Sequence, residues 1–361
     1  MNLAILGAGS FGTAMAAHGA RLGYDVRLWC RTPAQAEAIN RTRMNPRYQK
    51  GHKLGEEIRA DSDFRKCAAF AENIVLAVPA QNLRDVLTRL ASDGVRNRNL
   101  LSLAKGMEIS SGKLPHQIAK EVLADSLSSD SHSSVTYSAL SGPSHAEEVI
   151  RDLPTAVVVA SESREAAQEW QKILNSPHFR VYTNGDLLGV ELGGAVKNVI
   201  AIAVGISESL NFGDNAKAAL ATRGMAEIIR LGTALGASPL TLAGLAGAGD
   251  LMVTCYSHHS RNLRFGLAVG RGLSAEEAAS EIGQVVEGAH TAKALVAYAR
   301  RAGIELPIAE GVYAVVHEGA SIEQTIEKLL FRDPKPEQPG TQPESNPELN
   351  LKLNPESGPH R

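Results

Sequence analysis

Near its start the chain reads Gly7-Ala8-Gly9-Ser10-Phe11-Gly12, directly after five residues of strand character (2–6) and directly before a helical pattern that begins at Thr13. A G-x-G-x-x-G in that setting leaves few folds open. Gly7 permits the tight turn, Gly9 lets the backbone approach a pyrophosphate, and Gly12 allows the helix to pack close on the strand. The amides of the helix start supply donors and a partial positive charge. In many chains a glycine turn between a strand and a helix is only a turn, but here its position and both flanks meet the conditions for a dinucleotide site.

The rest of the first half agrees with that opening. Strand patterns at 25–30, 73–78, 99–103, 135–140 and 156–160 alternate with helical patterns at 13–22, 81–91 and 164–174. This alternation predicts an α/β domain over residues 1–182, a Rossmann-type, doubly wound parallel sheet covered by helices on both faces. After Thr183 the β-branched runs disappear, and helical patterns at 186–210, 216–235, 263–269, 291–302 and 308–318 predict an all-α second domain over residues 183–333. The first of these is apolar nearly all round its middle (Val196, Val199, Ile200, Ile202, Ala203, Val204), as a buried central helix must be. Residues 334–361 hold seven of the 16 prolines among Glu, Gln, Asn and Ser, which predicts a disordered tail, and 126–134 form a shorter Ser-rich loop.

Composition removes several classes of function. A length of 361 residues fills two domains of ordinary size. Lys plus Arg number 37 against 39 Asp plus Glu, so no excess of positive charge exists to neutralise a nucleic-acid backbone. The three cysteines, Cys30, Cys67 and Cys255, are far apart, which excludes a disulfide framework and a cysteine zinc site and fits a reducing cytoplasm. The longest apolar candidate, residues 199–205, falls short of the roughly 18 that a membrane span needs. Residues 1–17 are apolar and small and end in Ala-Met-Ala-Ala, but they lack the basic start of a secretory signal and are broken by Gly7, Gly9 and Gly12.

Ligands of a doubly wound sheet bind beyond the carboxyl ends of its strands, where Arg31, Pro79, Lys105 and the loop Ser141-Gly142-Pro143-Ser144 fall. The second strand runs out through Leu28-Trp29-Cys30-Arg31 with no acid to bond the ribose hydroxyls of NAD. Arg31 is placed to pair with a 2′-phosphate, so the sequence favours NADP(H) over NAD(H), the alternative being a solvated arginine. Lys105 is either a ligand in the crevice or an ordinary loop lysine. Lys197 stands with Asn198 inside the apolar helix, where an unpaired ammonium costs several kcal/mol, roughly, unless a partner is found or its pKa falls. Gly193, Gly194 and Ala201 leave room on that face; the alternative is a lysine that snorkels to the surface.

Gly247-Ala248-Gly249-Asp250 and residues 254–262 read as ligand loops. Ser260 is placed to cap a helix beginning at Arg261, so that a hydroxyl, a guanidinium and free amides converge as in a phosphate site. The neighbours His258 and His259 diverge and have no third ligand at metal spacing, so no metal is predicted.

These segments, with Ala104-Lys105-Gly106, Ser144-His145-Ala146, Gly193-Gly194-Ala195-Val196-Lys197-Asn198 and Val285-Val286-Glu287-Gly288, occur in an order that resembles the bacterial NAD(P)-dependent glycerol-3-phosphate dehydrogenases over residues 1–332. The resemblance implies reversible reduction of dihydroxyacetone phosphate to sn-glycerol 3-phosphate for glycerophospholipid synthesis, by a cytoplasmic homodimer. Matched by position, it implies Lys197 as proton donor and acceptor. Lys105, Gly142, Ser144, Lys197, Asp250, Ser260, Arg261 and Asn262 match substrate contacts. Gly7, Gly9, Ser10, Phe11, Gly12, Arg31, Lys105, Ala146, Arg261, Val285 and Glu287 match cofactor contacts. Departures are His145, where the family's motif has phenylalanine, the 126–134 loop and the tail. Competing readings are a dehydrogenase of another acidic substrate, of 3-hydroxyacid or 6-phosphogluconate type, and a non-catalytic dinucleotide sensor, which would have no need of an ammonium in an apolar helix.

Overall fold

Short apolar segments that meet water on neither face must pair with one another, and one sheet collects eight such strands. A computed structural model describes residues 1–94, 97–124 and 135–330; the 126–134 loop and the 334–361 tail lie outside the described residues. The strands are β1 (Asn2–Leu6), β2 (Asp25–Trp29), β3 (Ile58–Asp61), β4 (Asn73–Leu76), β5 (Arg98–Ser102), β6 (Val135–Ser141), β7 (Thr155–Ser161) and β8 (Phe179–Asn184), in the order β3-β2-β1-β4-β5-β6-β7-β8. Alternation along β1 sends Leu3 and Ile5 into one core with Met15 and Trp170, and Ala4 and Leu6 into another with Leu83 and Leu87. Both faces are thus covered, as a doubly wound sheet requires.

The fold departs from the sequence expectation in three ways. From β3 through β6 it is parallel, but β7 runs antiparallel to β6, and β8 pairs parallel with β7. The β6–β7 connection contains only the one-turn helix Ala146–Val149. Such a helix rises about 6 Å and cannot carry the chain back along a seven-residue strand, roughly 23 Å long, so the chain turns and pairs in reverse. Strands β3 and β8 were not expected: Arg59 and Asp61 in β3, and Arg180 and Tyr182 in β8, interrupt the apolar runs, because at the sheet's two edges only alternate residues face a core. Helices Pro33–Thr42, Phe64–Ala69, Pro115–Val122, Asp250–Tyr256, Ala275–Ile282 and Ile322–Leu330 also form where no helix was anticipated; several are a few turns or less and take their stability from packing and caps.

The second half is helical and wraps one element. Helix Leu187–Ser209 has 23 residues, nearly all buried, and begins under the carboxylate of Asp186, whose Oδ1 accepts from the Gly189 amide at 2.8 Å. It is longer than the apolar run read from sequence and is long and apolar enough to cross a membrane. However, 89% of its most apolar window is buried within the protein, against neighbours that include Leu231, Leu263, Phe265 and Leu295, which marks it as a core helix. Its first turns also reach the sheet, where Leu187 and Val190 share a core with Leu100 and Ala139.

Candidate active site

The strand order reverses between β1 and β4, and the glycine turn lies at that switch point. Gly7 has φ +129°, and a Cβ there would lie 2.4 Å from the Ala77 carbonyl oxygen beyond β4. A Cβ on Gly12 would lie 1.9 Å from the Gly7 carbonyl, so the helix Ser10–Arg21 can start this close to the strand only without one. Gly9 is different, since nothing lies within 4 Å of where its Cβ would stand. The turn is packed on the sheet side and open beside the helix start, a cradle that fits a pyrophosphate. Next to it a cleft of about 550 Å³ is lined by Ser10, Gln49, Glu147, His259 and Gln284, among others. Ser10 Oγ accepts from Gln49 Nε2 and lies 3.4 Å from Glu147 Oε1.

A second group of residues gathers beyond β5 and β6. The spacing of the central helix explains how. Residues 193 and 197 share one face, and a Cβ on Gly193 would meet the Ala246 carbonyl at 2.9 Å; that glycine admits the single π turn Leu245–Gly249, which delivers Asp250. Residues 194 and 198 share a neighbouring face. A Cβ on Gly194 would lie 2.7 Å from Ser141 Oγ and 3.5 Å from Lys105 Cγ, while Asn198 Nδ2 donates to the Lys105 carbonyl at 3.3 Å.

Asp250, 2% exposed, is the hub. Its Oδ1 lies 2.8 Å from Lys197 Nζ and its Oδ2 2.6 Å from Lys105 Nζ. Lys197 is 6% exposed and also donates to Thr254 Oγ1 at 2.5 Å, whose own hydroxyl donates to the Asp250 carbonyl at 2.6 Å. Lys105 donates in addition to the Gly142 carbonyl at 3.1 Å. Two ammonium groups on one carboxylate leave the cluster a net charge of +1. Burial pulls the Lys197 ammonium down to about 8, against the opposing pull of Asp250 and with the help of Lys105. Burial pushes the Asp250 carboxyl up, but the two ammoniums together outweigh it and hold the group below the usual carboxylate range. The result is a buried, positively charged centre containing an amine that titrates near neutral pH, which is a means of quenching developing negative charge.

The remaining sequence-predicted residues come from both halves of the chain. Ser260 caps helix Arg261–Gly270, its Oγ accepting from the Leu263 amide at 3.2 Å. Arg261 is half-buried and its charge is felt by Glu287. The Asn262 side chain donates to Asn198 Oδ1 and accepts from the Gly288 amide, both at 2.9 Å, which leaves its second Nδ2–H and its backbone N–H at the helix start. Gly142 has φ +123°, and its carbonyl also accepts from Ser144 Oγ at 2.9 Å. Ala146 opens the short helix Ala146–Val149, Phe11 packs against the sheet core, Val285 is exposed, and Arg31 is exposed just past β2. Glu287 Oε1 accepts from the Ala80 amide at 3.2 Å, and burial pushes its carboxyl up to about 7. Glu287 Oε2 and Thr291 Oγ1 have no hydrogen-bond partner among the described residues and sit beside Gly106 at the end of β5, polar atoms that a carboxamide-bearing ring would satisfy. The His145 ring lies tilted against that of His259, with ring centres 5.7 Å apart, and burial, then the charge of Lys197, lowers its pKa.

Sequence reasoning placed Ser141 and Thr254 in ligand loops without a partner for either, and missed Gln49 and Glu147, which are brought to Ser10 by tertiary packing alone.

Comparison with known proteins agrees with this geometry. Residues 2–167 match the family model for the NAD-dependent glycerol-3-phosphate dehydrogenase N-terminus, and residues 186–327 that for its C-terminus. The chain is 45% identical over 338 residues to glycerol-3-phosphate dehydrogenase [NAD(P)+] of Chlorobium luteolum, covering 94% of this chain and 100% of that one. It is 44% identical over 340 residues to the enzyme of the same name from Thermoanaerobacter sp. (strain X514), again covering 94% and 100%. Among solved structures, glycerol-3-phosphate dehydrogenase from Coxiella burnetii superposes with a TM-score of 0.86 at 38% identity, covering 92% of this chain and 99% of that one. With one family model spanning the glycine turn and a second spanning Lys197 and Asp250, the chain belongs to the NAD-dependent glycerol-3-phosphate dehydrogenases, NAD(P)-dependent oxidoreductases that reversibly reduce dihydroxyacetone phosphate to sn-glycerol 3-phosphate.

Proposed function

We propose that Lys197 is the general acid and base of this reaction, held in charge and position by Asp250, with the sheet half of the chain (residues 1–182) carrying the nucleotide and the helical half (183–333) completing the substrate pocket. Bound at the glycine turn, a reduced nicotinamide would supply the hydride that C2 of dihydroxyacetone phosphate accepts. The C2 oxygen then gains negative charge, and Lys197 Nζ donates the proton that converts it to the alcohol; in the reverse direction the neutral amine takes that proton back. Lys105 adds a second positive charge on the same carboxylate and polarises the carbonyl. The Ser260 hydroxyl, the Arg261 guanidinium and the amides that open helix Arg261–Gly270 anchor the phosphate and so orient the reacting carbon. Gly7, Gly9 and Gly12 receive the pyrophosphate, Ser10 and Phe11 flank it, Ala146, Val285 and Glu287 border the nicotinamide side, and Arg31 reads a 2′-phosphate, which favours NADP(H). The exposed Phe212, Leu240, Met252 and Tyr256 of the helical half are apolar surface available to a second copy, in line with a cytoplasmic homodimer.

The observation that carries this reading is the ion pair of a 6%-exposed lysine with Asp250 at 2.8 Å, at the end of the sheet where the glycine turn opens. Replacement of Lys197 by Ala is expected to leave NADPH binding intact and to lower turnover by at least about 100-fold. Near-normal turnover in that variant excludes the role. The pH profile is a second check. Reduction needs the ammonium, so its kcat/KM falls as pH rises through about 8, whereas oxidation of glycerol 3-phosphate needs the free amine and gains through the same value.

A further inference from the structure

The central helix carries a buried acid of its own, Glu191, that the reaction itself does not use. Glu191 is 4% exposed and lies one turn before Gly194 and two before Asn198, on the face turned to the sheet. Its Oε2 accepts from the His116 amide at 3.0 Å and lies 2.7 Å from His116 Nδ1; its Oε1 accepts from the Tyr137 hydroxyl at 2.9 Å. His116 belongs to helix Pro115–Val122 and Tyr137 to β6. Ser102, at the end of β5, lies beside the Tyr137 hydroxyl, and its Oγ accepts from the Ala104 amide at 3.2 Å, one residue before Lys105. Hydrogen bonds therefore tie the helix that bears Lys197 to helix Pro115–Val122 and to β6, beside the strand that leads into the Lys105 loop. Burial and the charge of Glu191 hold the Tyr137 hydroxyl well above its ordinary pKa, so it remains a donor.

A carboxylate is an expensive way to fill this space, because its desolvation costs several kcal/mol, roughly, and an apolar side chain of similar volume would pack as well. What it adds is direction: three donors with fixed geometry allow one rotation and one height of the helix, where apolar packing tolerates sliding. We propose that Glu191 is a positioning residue, which through His116 and Tyr137 locks helix Leu187–Ser209 onto helix Pro115–Val122 and β6 and so fixes where Lys197 stands relative to the crevice at the strand ends. This inference rests on the assignment of Lys197 given above.

Two variants test it. Tyr137→Phe removes one bond and keeps the ring; Glu191→Gln keeps the shape and removes the charge. For each, kcat for dihydroxyacetone phosphate reduction, NADPH Kd, Tm and the isotope effect with NADPH deuterated at the transferred position are measured. A misplacement of about 1 Å costs up to about 100-fold in rate. The expected result is a fall in kcat of about tenfold for Tyr137→Phe and more for Glu191→Gln, a Kd within about twofold of the parent, and a larger isotope effect as the chemical step becomes limiting. An unchanged kcat and isotope effect alongside a lowered Tm overturns the proposal, leaving the cluster as a stabilising element. Loss of folded protein in both variants overturns it in the same way. Lys197→Ala, assayed in parallel, separates the two readings. If it is inactive while the clamp variants behave as the parent, only the positioning role fails; if it is active, the lysine assignment fails and takes this inference with it.

Discussion

The nucleotide turn and the lysine cluster lie at the same end of one sheet but are built from opposite materials. The turn is made of backbone: Gly7, Gly9 and Gly12 contribute no side chains, and the groups offered to a ligand are amides whose direction follows from the strand-to-helix path. The cluster is made of side chains from the end of β5, the middle of the central helix and the helix Asp250–Tyr256, and its working property is a buried net charge. A backbone site is specified locally and fails by steric intrusion. A charge site is specified by the whole fold and fails by losing its balance, so the two halves of the proposed active site should break in different ways.

The largest break is expected at Asp250. Asp250→Asn keeps the volume but takes away the charge that both ammoniums share, and removing one member of a buried ion pair costs about 3–5 kcal/mol. The protein can relieve that cost by releasing a proton from Lys197, whose pKa is already lowered by burial and would drop further without its counter-ion. Turnover in the reducing direction should therefore fall by about 100-fold at neutral pH, and the descending limb of the pH profile should shift below 8. A large loss with no shift of the limb would mean that Asp250 works by contact with the substrate and not through the lysine.

The same contrast explains what the sequence disclosed. The turn was legible because all its determinants lie within twelve residues, and Ser260 was legible as a cap because its partner is the Leu263 amide three positions on. Lys197 stood out because a charge in an apolar helix conflicts with its surroundings. Its partner Asp250 was legible as the end of the ligand loop Gly247-Ala248-Gly249-Asp250, whereas the geometry that brings the two together, the π turn Leu245–Gly249 and the close approach at Gly193, has no local signature. Glu227 shows the same limit elsewhere. It accepts from the amides of Ile308 and Ala309 at 2.7 and 3.2 Å and so caps a helix whose start lies about eighty positions away in sequence. Strands β3 and β8 were missed for a related reason, since an edge strand needs apolar residues only at alternate positions.

A smaller effect, and a cleaner division between steric and functional loss, is expected at the turn. Gly12→Ala places a Cβ 1.9 Å from the Gly7 carbonyl, so the helix start must move; overpacking of this kind costs about 1–3 kcal/mol. Both Tm and NADPH affinity should fall, the latter by about tenfold or more. Gly9→Ala meets nothing within 4 Å and should leave Tm unchanged while still weakening NADPH, because the added methyl occupies the open side of the cradle. Equal losses of Tm in both variants would remove the distinction between a packed and an open side of the turn.

The smallest effect is expected at Arg31, the one side chain by which the backbone-built site is proposed to read its ligand. It is exposed just past β2, so no packing depends on it, and its removal should be silent in Tm. A guanidinium on a phosphate is a charge-assisted hydrogen bond, worth about 1.5–3 kcal/mol when well formed and less when solvated. Arg31→Ala should therefore raise the NADPH Kd by about tenfold and leave the NADH Kd within about twofold, with kcat unchanged for either nucleotide, because the lysine cluster lies elsewhere. Equal weakening of both nucleotides would place the guanidinium on the shared pyrophosphate or ribose, and the cofactor preference would then have to be set by groups other than the end of β2.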